Sequence, residues 1–543
     1  MAGATSATSL KTIRTERAAA MADTLDDPQV FLPDLWATYA EFYPDKPALV
    51  CAGKTRSWAD FDAGMNRVAN ALLKQGIGKG DTVAVLMGNS VEIVEVIFGV
   101  VKAGACVVPL SGLLTGEQLA SLIDDCDAKM LIVSDTFSAS IAPHREELDK
   151  IGADGFVAAD FEAPGWRSLG DMLADASPDQ PDVRYAMTDP FNIIYSSGTT
   201  GLPKGIVQTH RARQHWAFSN AVEMGFSSDS RALTTTALYS NGTWLMMLPV
   251  LFAGGTLYAM ETFDPGAFLQ TVAREAITHT FMVPAQYLMV LDHPDLDRTD
   301  LSSLKTMLSA GSPLRRDTKA EILARMGPGL YELYGFSEGF GTILKPRQHA
   351  EKFASVGTPV LGFELKILGA DGNEAPRGEA GEIAGYGAGL MREYYRRPEA
   401  TAELIWRDAR GRTFVRSGDI GKLDEDGFLY ILDRKKDMII SGGFNVFPTD
   451  VEAIVGGHAD VQDVTVIGVP HEKWGEAALA LVIARDGADA DAIRDWANER
   501  LAKHQRLAGV EFRDDFPRNA LGKVLKRFLR EPYWEEGAAT APE

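Results

Sequence analysis

Phe191-Asn-Ile-Ile-Tyr195, running directly into Ser196-Ser-Gly-Thr-Thr-Gly-Leu-Pro-Lys-Gly205, is the stretch on which the reading of this chain turns. The first five residues read as a buried strand. Apart from Leu202 and Pro203, the loop that follows is Ser, Thr, Gly or Lys throughout. Glycines let the backbone turn its N–H groups inward, hydroxyls add donors, and Lys204 adds a point charge, which together suit a polyphosphate. The spacing is not that of a Walker A loop, because Gly198 is followed by Gly201 and Lys204 by Gly205. A flexible surface loop is the other reading that this composition allows.

Upstream, Ser57 and Asp60 form a candidate capping pair ahead of Phe61, Met65, Val68 and Leu72 at helical spacing. The period then changes, with Thr82 to Met87 a short apolar run, Val91 to Ala103 helical, and Cys106 to Leu110 and Met130 to Val133 apolar again. Strand and helix alternate, and the alternation returns between Phe191 and Met260 and around Phe281 to Ser309 without a fixed repeat. This predicts an α/β fold with parallel-rich sheets flanked by helices. Past Leu361, Asp371-Gly372, Pro376, Gly378, Gly381, Gly385, Gly387 and Gly389 punctuate short strands, predicting a β-rich subdomain. A strand from Gly427 then meets the charge cluster Asp433-Arg-Lys-Lys-Asp437. After it come a helix (Thr449 to Val455), a strand (Val464 to Gly468) and a helix (Ala490 to Leu501), a small mobile α+β domain. The expected division is a flexible lead-in 1–27, a large domain 28–432, a hinge 433–436, a C-terminal lid domain 437–534 and a disordered tail 535–543.

The chain has 543 residues, with 54 Lys and Arg against 75 Asp and Glu, a net charge of −21. That balance argues against a protein that coats nucleic acid or anionic lipid. Three cysteines, Cys51, Cys106 and Cys126, form no CxxC pair and sit in apolar surroundings, as expected for a reducing, cytoplasmic setting. The uncharged run Ala232 to Met260 is long enough for a bilayer but carries Ser240, Asn241, Gly242, Pro249 and Gly254-Gly255, so a buried helix and strand is expected there instead. Residues 1–27 contain no apolar core of the kind a secretory signal needs.

Tyr195 to Gly205 resembles the AMP-binding signature of the adenylate-forming superfamily, which contains acyl-CoA synthetases, luciferases and peptide-synthetase adenylation domains. Gly76 to Val83 and Lys102 to Pro109 resemble that family's N-terminal segments, and Tyr334-Gly-Phe-Ser-Glu338 its adenine and magnesium motif. Arg416-Ser-Gly-Asp419 resembles its ribose motif, Asp433 to Asp437 its hinge, Ser441-Gly-Gly-Phe-Asn-Val-Phe-Pro448 its CoA entry loop, and Pro517 to Arg527 its catalytic-lysine segment. The motifs follow family order over residues 30 to 530.

The resemblance implies two steps: a carboxylate attacks the α-phosphorus of Mg·ATP, giving acyl-AMP and pyrophosphate, and a thiol then attacks the acyl carbonyl. It implies that Ser196, Ser197, Gly198, Thr199, Thr200, Gly201 and Lys204 hold the phosphates, with Tyr334, Gly335 and Ser337 around the nucleotide. Asp419 would take the ribose hydroxyls and Arg434 would contact the nucleotide from the hinge side. Glu338 and Thr199 would ligate Mg²⁺, which prefers hard oxygens. Lys523 would carry its charge to the reacting carboxylate; taken alone, with Lys526, Arg527 and Arg530 nearby, it reads as one more solvated lysine. Gly442 and Gly443 would line the CoA tunnel, and Lys436 would be the hinge. A lysine acetyltransferase and deacetylase acting on Lys523, and a homodimer, are further expectations.

In the family the acid pocket is built from the segments that here are Ala237 to Met247 and Ser309 to Pro313, giving Tyr239, Ser240, Asn241, Trp244, Ser309, Ala310 and Gly311 as candidates. Neither segment carries a charge, and a buried lone charge costs several kcal/mol. An apolar monocarboxylic acid is therefore expected: branched, alicyclic, aryl or medium-chain. Many aryl and fatty acid ligases have an aromatic-His pair where this chain has Tyr239-Ser240. CoA is the expected acceptor, since no carrier or condensation domain follows Pro517 to Arg527; a luciferase-like or carrier-loading enzyme is the alternative within the family. Outside it, Gly335-Phe-Ser-Glu-Gly339 satisfies the GxSxG elbow of serine hydrolases, with Ser337 as nucleophile and His349, His458 or His471 as base. That alternative leaves the 196–205 loop and Lys523 without a role.

Overall fold

The computed structural model describes residues 29–196, 203–441, 444–518 and 522–539. The lead-in expected at 1–27, Ser197 to Gly201 of the loop, and Gly442 and Gly443 lie outside the described residues. Among the described residues the strands form four sheets, of eight, nine, five and five strands.

The eight-stranded sheet has Cys106–Pro109, Thr82–Leu86 and Ala128–Val133 at its centre, all parallel, with Pro190–Ser196 beside Cys106–Pro109. Pro190–Ser196 turns back antiparallel into Lys204–Thr209, whose other edge takes the short strand Glu393–Tyr394. The nine-stranded sheet is parallel from Thr256–Ala259 through Arg231–Thr234, His279–Met282 and Thr306–Ser309 to Leu330–Phe336, where Phe340–Leu344 returns antiparallel. The expected α/β alternation is what the structure shows.

The core runs between these sheets. Ser57 closes the expected capping box: its Oγ accepts from Asp60 N–H at 3.1 Å and its own N–H donates to the Asp60 carboxylate. The helix it starts, Trp58–Lys74, buries Phe61, Met65, Val68 and Leu72. These residues pack toward Val91–Lys102, whose Gly99 is in the contact because a Cβ there would meet Val68 Cγ1 at 2.7 Å and Met65 O at 2.9 Å. The uncharged run resolves into Arg231–Thr234, the helix Trp244–Phe252 and Thr256–Ala259, nearly all buried. No helix among the described residues is long and apolar enough to cross a membrane.

A five-stranded antiparallel sheet spans Phe363 to Arg434, which is the expected β-rich subdomain. The last sheet begins at Ile439, and its hairpin Val461–His471 and Gly475–Ala484 is longer than the strand expected at 464–468. The helix Ala490–Asn498 ends before the expected Leu501, and the closing helix Lys526–Ala539 runs past residue 534 into the stretch expected to be disordered. Its Trp534 Nε1 donates to Gly468 O at 3.1 Å, which ties that helix to the sheet.

Candidate active site

Three elements deliver the nucleotide-site candidates to one place. Tyr334 stands on Leu330–Phe336 at the C-terminal end of the parallel run, where open α/β sheets bind ligands. Its hydroxyl donates to Asp419 Oδ2 at 2.7 Å. Burial, and then the Asp419 carboxylate, push the phenol far above its ordinary pKa, so it stays a donor. Asp419 lies on Thr413–Leu423 in register with Arg434, whose Nε is 3.2 Å from its other oxygen. Asp419 is only 6 % exposed, and its N–H donates to Ser417 Oγ at 3.0 Å.

Glu338 sits in the turn between Leu330–Phe336 and Phe340–Leu344. That turn needs a glycine at 339: its φ is +108° and a Cβ would meet Gly389 O at 2.1 Å. Gln208 Nε2 donates to Ser337 O at 2.9 Å, and Met391 N–H donates to Glu338 O at 2.7 Å, fixing the turn to the eight-stranded sheet. The Glu338 carboxylate accepts from the Tyr394 hydroxyl at 2.5 Å, and Lys204 Nζ lies 4.9 Å from the Tyr394 ring centre. Lys204, Tyr394 and Glu338 thus form one cluster. Tyr394 was missed by sequence reasoning; a two-residue strand at a sheet edge leaves no periodic signal. Burial and the Glu338 charge both raise its pKa, keeping the proton on the phenol.

Lys523 comes from the C-terminal part of the chain. It follows Gly522, whose φ of +74° suits glycine, and its half-buried side chain lies near Arg434 and Asp419. Its pKa falls from 10.5 to about 8, chiefly through burial and then through repulsion by Arg434, while Asp419 and Asp437 pull the other way. The lysine that composition alone would leave in solvent is therefore half-buried near Arg434 and Asp419, the groups that meet at Tyr334.

Between the third and fourth sheets the chain makes a tight turn, with the N–H groups of Asp437 and Met438 both donating to Arg434 O at 3.0 Å. Arg530 Nη1 donates to Lys436 O at 3.0 Å. Burial, ahead of the repulsion from Arg434, lowers the Lys436 pKa.

The acid-pocket candidates lie off the C-terminal ends of two parallel strands, Arg231–Thr234 and Thr306–Ser309, with His279–Met282 between them. Asn89 anchors the first segment, donating to Thr236 O and Met260 O and accepting from Leu238 N–H. Tyr239 is half-buried in this loop and Ser240 is buried. Burial raises the Tyr239 pKa. Ser309 Oγ and Asn241 Oδ1 are buried with no hydrogen-bond partner among the described residues. Trp244 is buried, donates from Nε1 to Leu238 O at 2.9 Å and stacks under the Arg213 guanidinium at 4.5 Å. Arg213, from the helix His210–Met224, bonds Asn192 Oδ1 at 2.7 Å. It brings a buried charge against a segment that has none of its own, and nothing in the segment's own sequence announced it.

The hydrolase constellation does not assemble. His349 bonds Leu330 O at 2.9 Å, His458 packs edge-on against Trp496, and His471 accepts from the N–H groups of Lys473 and Trp474. No hydrogen bond joins any of them to Ser337 among the described residues.

Residues 36–395 match the AMP-binding enzyme family, and residues 450–523 match the AMP-binding enzyme C-terminal domain. The chain belongs to the AMP-binding enzyme family. It is 35 % identical over 497 residues to a feruloyl-CoA synthase of an Amycolatopsis species, covering 90 % of this chain and 96 % of that one. To the long-chain-fatty-acid–CoA ligase FadD13 of Mycobacterium tuberculosis it is 34 % identical, with coverages of 90 % and 94 %. The crystal structure of ATP-bound MatB from Rhodopseudomonas palustris superposes with a TM-score of 0.83 at 31 % identity, covering 92 % of this chain and 99 % of that one. Within the family the chain is an acyl-CoA synthetase, an AMP-forming acid–thiol ligase.

Proposed function

We propose that this enzyme joins an apolar monocarboxylic acid to CoA through an acyl-AMP, using ATP and Mg²⁺. The observation that carries the proposal is the half-buried Lys523 near Arg434 and Asp419, which supports a cation from the C-terminal part of the chain acting at the candidate nucleotide site.

In the first step a carboxylate oxygen attacks the α-phosphorus and pyrophosphate leaves. Such chemistry needs charge neutralisation and positioning more than a protein nucleophile. Lys523 neutralises the approaching carboxylate and α-phosphate, and Lys204, with the loop Ser196 to Gly201, holds the β- and γ-phosphates. Asp419 takes the ribose hydroxyls, Tyr334 and Gly335 flank the adenine, and Arg434 closes the site from the hinge. A single carboxylate, Glu338, positioned by Tyr394, is a donor set that suits a magnesium ion keeping most of its water and phosphate ligands. The ion supplies charge stabilisation at the phosphates when bound, with Glu338 and Thr199 as its protein ligands.

In the second step the CoA thiolate attacks the acyl carbonyl carbon and AMP leaves. Gly442 and Gly443 would leave room for the pantetheine arm. Because Lys523 and that loop belong to the same small domain, the domain must turn between steps, about Lys436. The acid sits against Tyr239 to Trp244 and Ser309 to Gly311.

Pyrophosphate and AMP release across a panel of branched, alicyclic, aryl and medium-chain acids, with and without CoA, tests the proposal. Turnover of apolar monocarboxylates that requires CoA supports it; turnover that ignores CoA, or that needs an amino acid, overturns it. The same proposal takes the enzyme as a cytoplasmic homodimer that acetylation of Lys523 switches off by removing its charge. Light scattering at the monomer mass of 58.9 kDa, or full activity after stoichiometric acetylation, would refute those parts.

A further inference from the structure

Lys523 is delivered by a loop, and a chain of charged side chains holds that loop. Arg518 Nη1 donates to Gly522 O at 3.0 Å, directly before Lys523, and Arg518 pairs with Val524 in an isolated antiparallel bridge. Its other nitrogen, Nη2, lies 2.5 Å from Asp463 Oδ2. Asp463 stands on the hairpin strand Val461–His471, and its Oδ1 accepts from Val464 N–H at 2.9 Å. The same Oδ1 accepts from Arg315 of the large domain. Arg315 lies two residues past the segment Ser309 to Pro313, at the N-cap position of the helix Arg316–Arg325. On the loop's other side, a Cβ on Gly522 would come 3.9 Å from Ala285 Cβ of the large domain.

We propose that Asp463 is a positioning residue for Lys523: by gripping Arg315 of the large domain and Arg518 of the small one, it fixes the small domain and the Gly522-Lys523 loop in the pose that adenylation needs. A carboxylate has acceptor sites enough for both guanidinium groups, and bonds between two charged partners are stronger than neutral ones. Isolated exposed ion pairs contribute little, but here one anion serves two cations, and one of them is also bonded to the loop backbone. The grip is specific to one pose. Rotation of the small domain would part Asp463 from Arg315 and leave the Arg518 bonds to Asp463 and Gly522 intact, since both lie within that domain.

This inference rests on Lys523 acting in the first step, so the two half-reactions are measured separately in the full-length enzyme. Asp463→Ala should slow acyl-AMP formation about 10-fold, mostly in kcat, while thioester formation from supplied acyl-AMP stays within about twofold. Arg315→Ala should act in the same direction, and Arg315→Ala combined with Asp463→Ala should be no slower than Asp463→Ala alone. Asp463→Glu should recover most of the loss, and circular dichroism should show each variant folded. Normal adenylation in Asp463→Ala, equal loss in both half-reactions, or additive losses in the double variant would overturn the proposal. Lys523→Ala serves as the control. If it adenylates normally, the role given to Lys523 is wrong; if it fails while Asp463→Ala adenylates normally, only the positioning role falls.

Discussion

Removing the Lys523 ammonium should disable the enzyme and stabilise it at once. The half-buried ammonium has its pKa lowered from 10.5 to about 8, with desolvation as the leading cause. At 1.36 kcal/mol per pH unit, holding that charge there at pH 7 costs about 3 kcal/mol. Between about pH 8 and 10.5 the unfolded chain keeps this proton and the folded chain does not, so wild-type stability should rise with pH through that window. Lys523→Met keeps an unbranched apolar stem of similar reach and removes the charge. In urea the variant should therefore exceed wild type by about 3 kcal/mol at pH 7, and the difference should shrink steadily toward pH 9.5. The first unfolding transition is the one to follow, since undocking of the small domain also returns Lys523 to water; Trp474, Trp496 and Trp534 report on that domain. A variant less stable than wild type at pH 7, or a difference that does not change with pH, would refute the reasoning.

Other expectations follow from single contacts. Tyr394→Phe removes the donor that aims the Glu338 carboxylate, so the magnesium requirement should rise several-fold with little loss of stability; an unchanged magnesium titration would mean that the hydroxyl does not orient Glu338. Glu338→Gln should shift the same titration further and cut the rate without unfolding the chain. Lys436→Pro fixes φ and removes an N–H at the proposed pivot, so acyl-AMP should still form while transfer to CoA slows by a much larger factor; equal loss in both steps would put the hinge elsewhere. Gly99→Val drives atoms into Val68 and the Met65 carbonyl, and chemical denaturation should show a loss of at least 1–3 kcal/mol, the usual range for overpacking; an unchanged midpoint would mean that the two helices give way freely.

The alternation of apolar runs with helical spacings was enough to infer parallel sheets under helices, because burying both faces of a parallel strand writes continuous runs such as Thr82–Leu86. The capping box at Ser57 was equally legible, since it depends on two side chains three residues apart. The candidate nucleotide-site residues were picked out by their motifs, and the structure joins Tyr334, Asp419 and Arg434 with Lys523 near them. Tyr394 and Arg213 were not. Each acts across the fold, Tyr394 from an edge strand onto Glu338 and Arg213 from one helix onto Trp244 of another, and a contact of that kind has no period along the chain. The lowered pKa of Lys523 was invisible for a related reason: the partial burial and the Arg434 charge that lower it come from the folded arrangement of residues far apart in the chain. The lengths of the last elements were also misjudged, because acidic, small residues after 534 suggested a tail where Lys526–Ala539 continues as helix.

The central claim is that one small domain serves two chemical steps and that Lys523 serves only the first. Measuring both half-reactions of Lys523→Ala tests it most directly, acyl-AMP formation from acid and ATP by pyrophosphate release, and thioester formation from synthetic acyl-AMP and CoA. Pyrophosphate release should fall to background while thioester formation stays close to wild type. Equal loss in the two half-reactions, or pyrophosphate release that survives the substitution, would contradict it.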